Sequence, residues 1–252
     1  MAMLKSEVNM AEERGMNQRI KNLRKISTET QPSVDLERAK IETDFYKENE
    51  GKYSVPVMRA MFFKKYMEEK TLYLGDDELI VGEKGSRPQA CPTFPEICTH
   101  TVEDMEIMNA RDLVSFSVTP EDIELEREEI IPFWKGKSTR EHLLERMTPE
   151  WKECYAEGIW TEFMEQRGPG HTCGGKNVFI KGFEDYKKEI QEALDALDFL
   201  NDPEAYEKAE ELKAMAIDCD AICILGERYR KLALEKAAEE KDPQRKKELE
   251  QI

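Results

Sequence analysis

The sequence predicts a mainly α-helical fold with one or two short strands. Three observations carry that expectation. Glycine and proline together are only 24 of 252 residues, so the chain is neither loop-rich nor of low complexity. Helix-start signals recur between residues 101 and 150, at spacings of 10 to 19 residues. Beyond residue 183, apolar side chains step by three and four over long stretches.

Residues 1–16 read as a polar, flexible leader, and 17–252 as one folded region. A first short helix is expected over 17–26. Pro32 and Ser33 set up a second helix over 34–49, with Ser33 as its cap, Asp35 and Glu37 at its positive end, and Gly51 as its stop. A third helix over 55–69 places Met58, Met61, Phe62 and Tyr66 on one face. The run Leu79-Ile80-Val81, between Asp76-Asp77 and Gly82, reads as a buried strand. Pro88, Pro92 and Pro95 then predict an irregular segment over 82–100, and long ordered loops of this kind are often functional.

Helices resume at Thr101 and Ser138, each followed three residues later by an acidic partner in a capping box. Thr119-Pro120 and Thr148-Pro149 place a cap before a proline at the first helical position. Glycines and a proline interrupt the chain over 166–175. A helix follows, with Phe183, Tyr186, Ile190, Leu194, Leu197 and Leu200 on one face. Asp202-Pro203 opens a long helix to about residue 241, and another begins at Asp242.

Composition excludes several functions. The formal charge of −16, from 54 acidic and 38 basic residues, repels nucleic-acid backbones and anionic membrane surfaces. No run of 18 apolar residues provides a membrane span, and the first residues lack the apolar core of a secretory signal. Six cysteines in such a chain read as reduced cytoplasmic thiols.

The sharpest candidate for chemistry is His171, in the string Gly168-Pro-Gly-His171-Thr-Cys-Gly-Gly175. Glycines permit close approach, Pro169 stiffens the loop, and an imidazole can exchange a proton near neutral pH. A loop histidine that only bonds the backbone would look the same. Phe163, eight residues earlier, could form an aromatic wall beside it or be plain core. Cys98 with His100 and His171 with Cys173 each place two possible ligands two apart, but the spacers of a zinc site are missing and no metal is expected. Cys219 and Cys223 read as small core residues of one helix. Gly82-Glu-Lys-Gly85 lacks the spacing of a phosphate loop.

A set of strings resembles the N-terminal part of the glycyl radical enzymes of the pyruvate formate-lyase-like group. They are Glu37-Arg-Ala39, Glu78-Leu-Ile-Val-Gly-Glu-Lys-Gly85, Pro92-Thr-Phe-Pro-Glu-Ile97, Glu129-Ile-Ile-Pro-Phe-Trp134, Met147-Thr-Pro-Glu-Trp151, and Thr161-Glu-Phe-Met-Glu-Gln-Arg167 followed by Pro169-Gly-His-Thr172. Leu197-Asp-Phe-Leu-Asn-Asp202, Ala214-Met-Ala-Ile217 and Ile224-Leu-Gly226 extend the likeness.

The resemblance implies that the helices and strands belong to a larger α/β barrel. It implies a lyase acting on a small molecule, with radical dehydration of trans-4-hydroxy-L-proline or a related small hydroxylated substrate foremost. Relatives acting on glycerol, propanediol, choline, isethionate or arylacetates, or a formate C-acetyltransferase-like enzyme, are the alternatives. No bound cofactor is implied. The radical would sit on a glycine outside this chain, installed by a radical-SAM activating enzyme, and the complete protein would be a homodimer. His171 matches the histidine that approaches the substrate hydroxyl, and Phe163 an aromatic wall of that pocket.

None of the six cysteines lies in a Gly-Cys-Val-Glu-like loop, and an Arg-Val-Ala-Gly-Tyr-like glycine loop is absent. The chain is therefore expected to be a truncated portion, inactive alone and partnered by the remainder of the enzyme. A noncatalytic helical fragment that binds a partner is the rival expectation.

Overall fold

The computed structural model describes residues 17–159 and 175–252. The described residues form eleven α-helices and one small parallel β pair. Helix α1 is Gln18–Glu29. Strand β1, Ser33–Asp35, precedes α2, Glu37–Asn49, and α3, Val55–Glu69. Strand β2 is Ala90–Pro92. Short helices follow: α4 Val102–Ala110, α5 Pro120–Leu125, α6 Ile131–Trp134, α7 Thr139–Arg146 and α8 Pro149–Ala156. Helices α9, Phe183–Asp195, α10, Ala205–Glu239, and α11, Pro243–Gln251, complete the described chain.

The start signals form as their chemistry dictates. Thr101, Thr119 and Ser138 each accept from the backbone amide three residues on, and Asp104, Asp122 and Glu141 bond back to the cap amides. Thr148 caps α8 through the Trp151 amide. Gly51, at a φ of 74°, ends α2 in a conformation that side chains resist. Between α5 and α6 the helix widens into a π turn, Glu126–Ile130. Pro132 accounts for it: the ring has no N–H to donate and would clash with the preceding turn of an α-helix.

Three expectations need correction. Ser33 does not cap α2: it begins a strand, Leu36 stands at the cap position, and the Asp35 carboxylate before it accepts the Glu37 amide at 3.1 Å. Leu79 to Val81 is not a strand, and Ile80 is 86% exposed. That stretch is instead held by Arg245, which donates to the Glu78 carbonyl at 2.8 Å and the Gly75 carbonyl at 3.0 Å. The paired strand lies inside the proline-rich segment, with Ser33 opposite Ala90 and Asp35 opposite Pro92. Finally, α9 ends at Asp195 rather than continuing through Leu200. The Asp198 carboxylate captures the Leu200 and Asn201 amides at 3.0 and 3.1 Å, a local turn that competes with helix.

Strand β1 bonds on both sides. It pairs with β2, while the Val34 amide donates to the Ser117 carbonyl at 3.0 Å. Gly85 is required beside it, since a Cβ there would lie 2.5 Å from the Ala90 carbonyl oxygen.

Three apolar clusters hold the helices. One joins β1 and α2 to α4, the π turn and α6 through Val34, Leu36, Met105, Ile130 and Trp134. The second joins α2, α3 and α10 through Phe45, Met58, Phe62, Tyr66 and Ala221. The third places Leu74 against Ala233, Ala237 and Leu249 of α10 and α11. Helix α10 runs alongside α3 in the same direction. Glu210 accepts from Ser54 at the start of α3, and Arg228 donates to the Met67 and Lys70 carbonyls at its end, at 2.6 and 2.8 Å. Those carbonyls would otherwise lack intrahelical partners.

Candidate functional site

His171 and Phe163, the residues singled out from the sequence, lie outside the described residues, as does Cys173. What the described residues present is a cleft of about 570 Å³ between α2, α3 and α10, lined by apolar and charged side chains. Arg38, Glu42 and Tyr46 of α2, Arg59 and Phe63 of α3, Glu96, and Met215 and Asp218 of α10 contribute to its lining.

Arg38 organises the cleft floor. Its Nη1 donates to Glu42 Oε2 at 2.8 Å and Glu96 Oε2 at 3.1 Å, and its Nη2 donates to Glu96 Oε1 at 2.7 Å. The guanidinium carbon lies 5.0 Å from the Phe62 ring centre and 4.2 Å from that of Phe94. A planar cation that can fork onto a carboxylate and lie against aromatic faces is what arginine supplies and lysine does not. Burial pushes the Glu42 carboxyl well above the usual carboxylate range; Arg38 opposes this and Glu96 reinforces it. Burial likewise raises the Tyr46 phenol to about 12.

The segment carrying Glu96 anchors the helices that follow. The Glu96 carbonyl accepts from the Thr139 amide at 2.9 Å and its hydroxyl at 3.1 Å, and the Ile97 carbonyl accepts from the Arg140 amide at 3.0 Å. The start of α7 is thus tied to the same side of the fold as the Arg38 cluster.

A second buried acid lies in the π turn. Burial raises Glu126 to about 7, partly offset by a hydrogen bond from the His100 backbone amide, and its Oε2 has no hydrogen-bond partner. Burial also lowers the His100 imidazole. Lys70 is held below its usual range by burial, with its ammonium donating to the Glu83 and Lys84 carbonyls at 2.7 and 3.1 Å.

Among the described residues, no group of three or more His, Cys, Asp or Glu side chains could hold a metal ion. No described helix is long and apolar enough to cross a membrane. Cys219 is buried on α10 as expected, whereas Cys223 is exposed.

Arg38 and Glu96 lie within the strings that carry the family resemblance, which assigns them no role. The spacing of Arg38 and Glu42, one helical turn apart, signals an ion pair. Nothing in the sequence signals that Glu96 meets them from 54 residues further on.

The helical fold, its β pair and the strings quoted from the sequence define a class. Residues 13–252 match the pyruvate formate lyase-like family, and the chain belongs to it. Within that family, trans-4-hydroxy-L-proline dehydratase of Clostridioides difficile is 51% identical over 236 residues, covering 94% of this chain and 30% of that protein. The crystal structure of that hydroxyproline dehydratase with trans-4-hydroxy-L-proline bound superposes with a TM-score of 0.88, covering 93% of this chain and 30% of the other. Isethionate sulfite-lyase of Nitratidesulfovibrio vulgaris is 33% identical, covering 94% and 30%. The glycerol-bound B12-independent glycerol dehydratase of Clostridium butyricum is 27% identical, with a TM-score of 0.81, covering 94% and 30%. The chain therefore spans about 30% of the length of these relatives.

Proposed function

We propose that this chain is the N-terminal portion of a glycyl radical dehydratase that removes water from trans-4-hydroxy-L-proline or a related small hydroxylated substrate. The observation that carries this reading is the 51% identity to the hydroxyproline dehydratase, sustained over 94% of the chain. The more distant isethionate and glycerol relatives support the same family chemistry with other substrates.

In this reading His171 orients or protonates the leaving hydroxyl, and Phe163 packs against the substrate. Their support is the string match from Thr161 to Thr172. A histidine suits the role because its proton is exchangeable near neutral pH. The protein radical supplies hydrogen abstraction from a C–H bond too weakly acidic for a base, and it belongs to the remainder of the enzyme. A radical-SAM activating enzyme installs it, the complete enzyme is a homodimer, and it works in an anaerobic cytoplasm.

The test is reconstitution. The chain is combined, as a single polypeptide or as a complementing pair, with the cysteine- and glycine-loop portion of the hydroxyproline dehydratase, then activated anaerobically. Consumption of trans-4-hydroxy-L-proline is the expected result. A complex that carries the glycyl radical yet leaves hydroxyproline untouched while consuming glycerol, propanediol or isethionate overturns the substrate assignment. Failure to form an activatable complex overturns the enzyme reading.

A further inference from the structure

The cleft floor asks one guanidinium to serve two carboxyl groups. Arg38 Nη1 is shared between Glu42 and Glu96, and the Glu42 side chain is 2% exposed. The Oε2 atoms of Glu42 and Glu96 thus converge on one nitrogen, at 2.8 and 3.1 Å. Were both ionised, the cluster would carry a net negative charge with little water to screen it, and two carboxylates in one site resist joint ionisation.

The surrounding groups offer little relief. Tyr46 of α2 is neutral. Arg59 of α3 is exposed at the cleft wall, and Glu211 and Asp218 of α10 face the same space with further negative charge. The charge arithmetic of these neighbours leaves room for one bound proton.

We propose that Glu42 and Glu96 form an acid–carboxylate pair: Glu42 is a neutral carboxylic acid that donates its proton to the Glu96 carboxylate, which Arg38 grips through both nitrogens. The proton makes the cluster a neutral joint between α2, α3 and the segment that carries α7. Through this joint, Arg38 also reaches the Thr93 carbonyl at 3.3 Å, and the Glu96 and Ile97 carbonyls hold the Thr139 and Arg140 amides. Removal of the proton sets two carboxylates against each other at the point where that segment is fastened. The joint is thus pH-responsive: tight when the pair holds its proton, loosened when it does not. This inference stands apart from the substrate reading and needs no activity for its test.

The full chain, labelled with ¹³C at the glutamate carboxyls, is titrated by NMR, with Glu42→Gln identifying the Glu42 signal. The expected result is a Glu42 carboxyl that is still protonated at pH 7.5, separate from the Glu126 signal. In Glu96→Gln the Glu42 midpoint falls by at least about one pH unit, because the competing charge is gone and Arg38 remains. Hydrogen exchange at the Thr139 and Arg140 amides, corrected for intrinsic rate, quickens in the wild type above the Glu42 midpoint. A Glu42 carboxyl ionised at pH 7, or a midpoint indifferent to Glu96→Gln, overturns the proposal. Should either variant fail to fold, the wild-type titration decides: no glutamate still protonated at pH 7.5 refutes the pair, and one titrating together with faster Thr139 and Arg140 exchange supports it.

Discussion

Trp134 and Thr43 are joined by a buried hydrogen bond, the indole Nε1 donating to Oγ1 at 2.9 Å. Thr43 in turn donates to the Ala39 carbonyl at 2.6 Å. One hydroxyl therefore links α6 to α2 through the first apolar cluster. Thr43→Val keeps the shape but orphans the indole N–H. It should destabilise the chain by about 1–3 kcal/mol in urea unfolding, while Thr43→Ser should cost less.

Arg38 is predicted to resist conservative replacement. Lysine cannot fork onto Glu96 while lying against Phe62 and Phe94. Arg38→Lys should lower the thermal midpoint measurably. Arg38→Leu removes the cation from the Glu96 carboxylate and the donor to Glu42, and should lower the thermal midpoint further than Arg38→Lys does.

Glu126 sets a pH dependence whose sign follows from burial. Its folded value of about 7 lies above the ordinary 4.5, so the native state binds a proton more tightly than the unfolded chain. The stability this adds is full below about pH 4.5 and is lost as the pH rises through 7. Glu126→Gln should flatten that decline. It should gain on the wild type by up to about 3 kcal/mol at pH 8 relative to pH 4, read from denaturation midpoints at the two pH values.

Exposed apolar side chains predict how the chain behaves alone. Phe179 is 91% exposed and Leu200 is 95% exposed, with Val178, Ile180 and Tyr206 also open to solvent. Such surface normally marks a contact with another polypeptide. The isolated chain should self-associate in analytical ultracentrifugation despite its charge, and Phe179→Ser with Leu200→Ser should reduce the association. A monodisperse monomer would contradict this.

For the proposed enzyme, His171→Ala in the reconstituted protein should cut turnover by about 100- to 10,000-fold, the range for a positioned acid or base. Thermal stability should change little. Retained turnover would remove His171 from the reaction.

What could be read in advance was the local chemistry. The caps at Thr101, Thr119, Ser138 and Thr148 fix helix starts through contacts within three residues, so the sequence alone carries them. The long helix α10 was legible too, because apolar residues beyond 183 keep stepping by three and four. The β pair was not legible, because three residues have no period and their partners lie 57 positions away. Leu79-Ile80-Val81 had the composition of a strand but no neighbour to pair with. The cleft failed for the same reason: Arg38 and Glu42 are local, while Glu96 reaches them only after the chain has passed through α3 and the proline-rich segment. His171 and Phe163 were visible as candidates through glycine spacing and string resemblance, not through any geometry.

The placement of β1 between β2 and Ser117 has a consequence for biosynthesis. The first apolar cluster draws on Val34, Met105, Val118 and Trp134, so it cannot close until Trp134 has left the ribosome. Until then the emerging polypeptide carries Val34 and Leu36 uncovered, a hundred residues ahead of the side chain that seals them. Nascent chains in that interval are natural clients for chaperones.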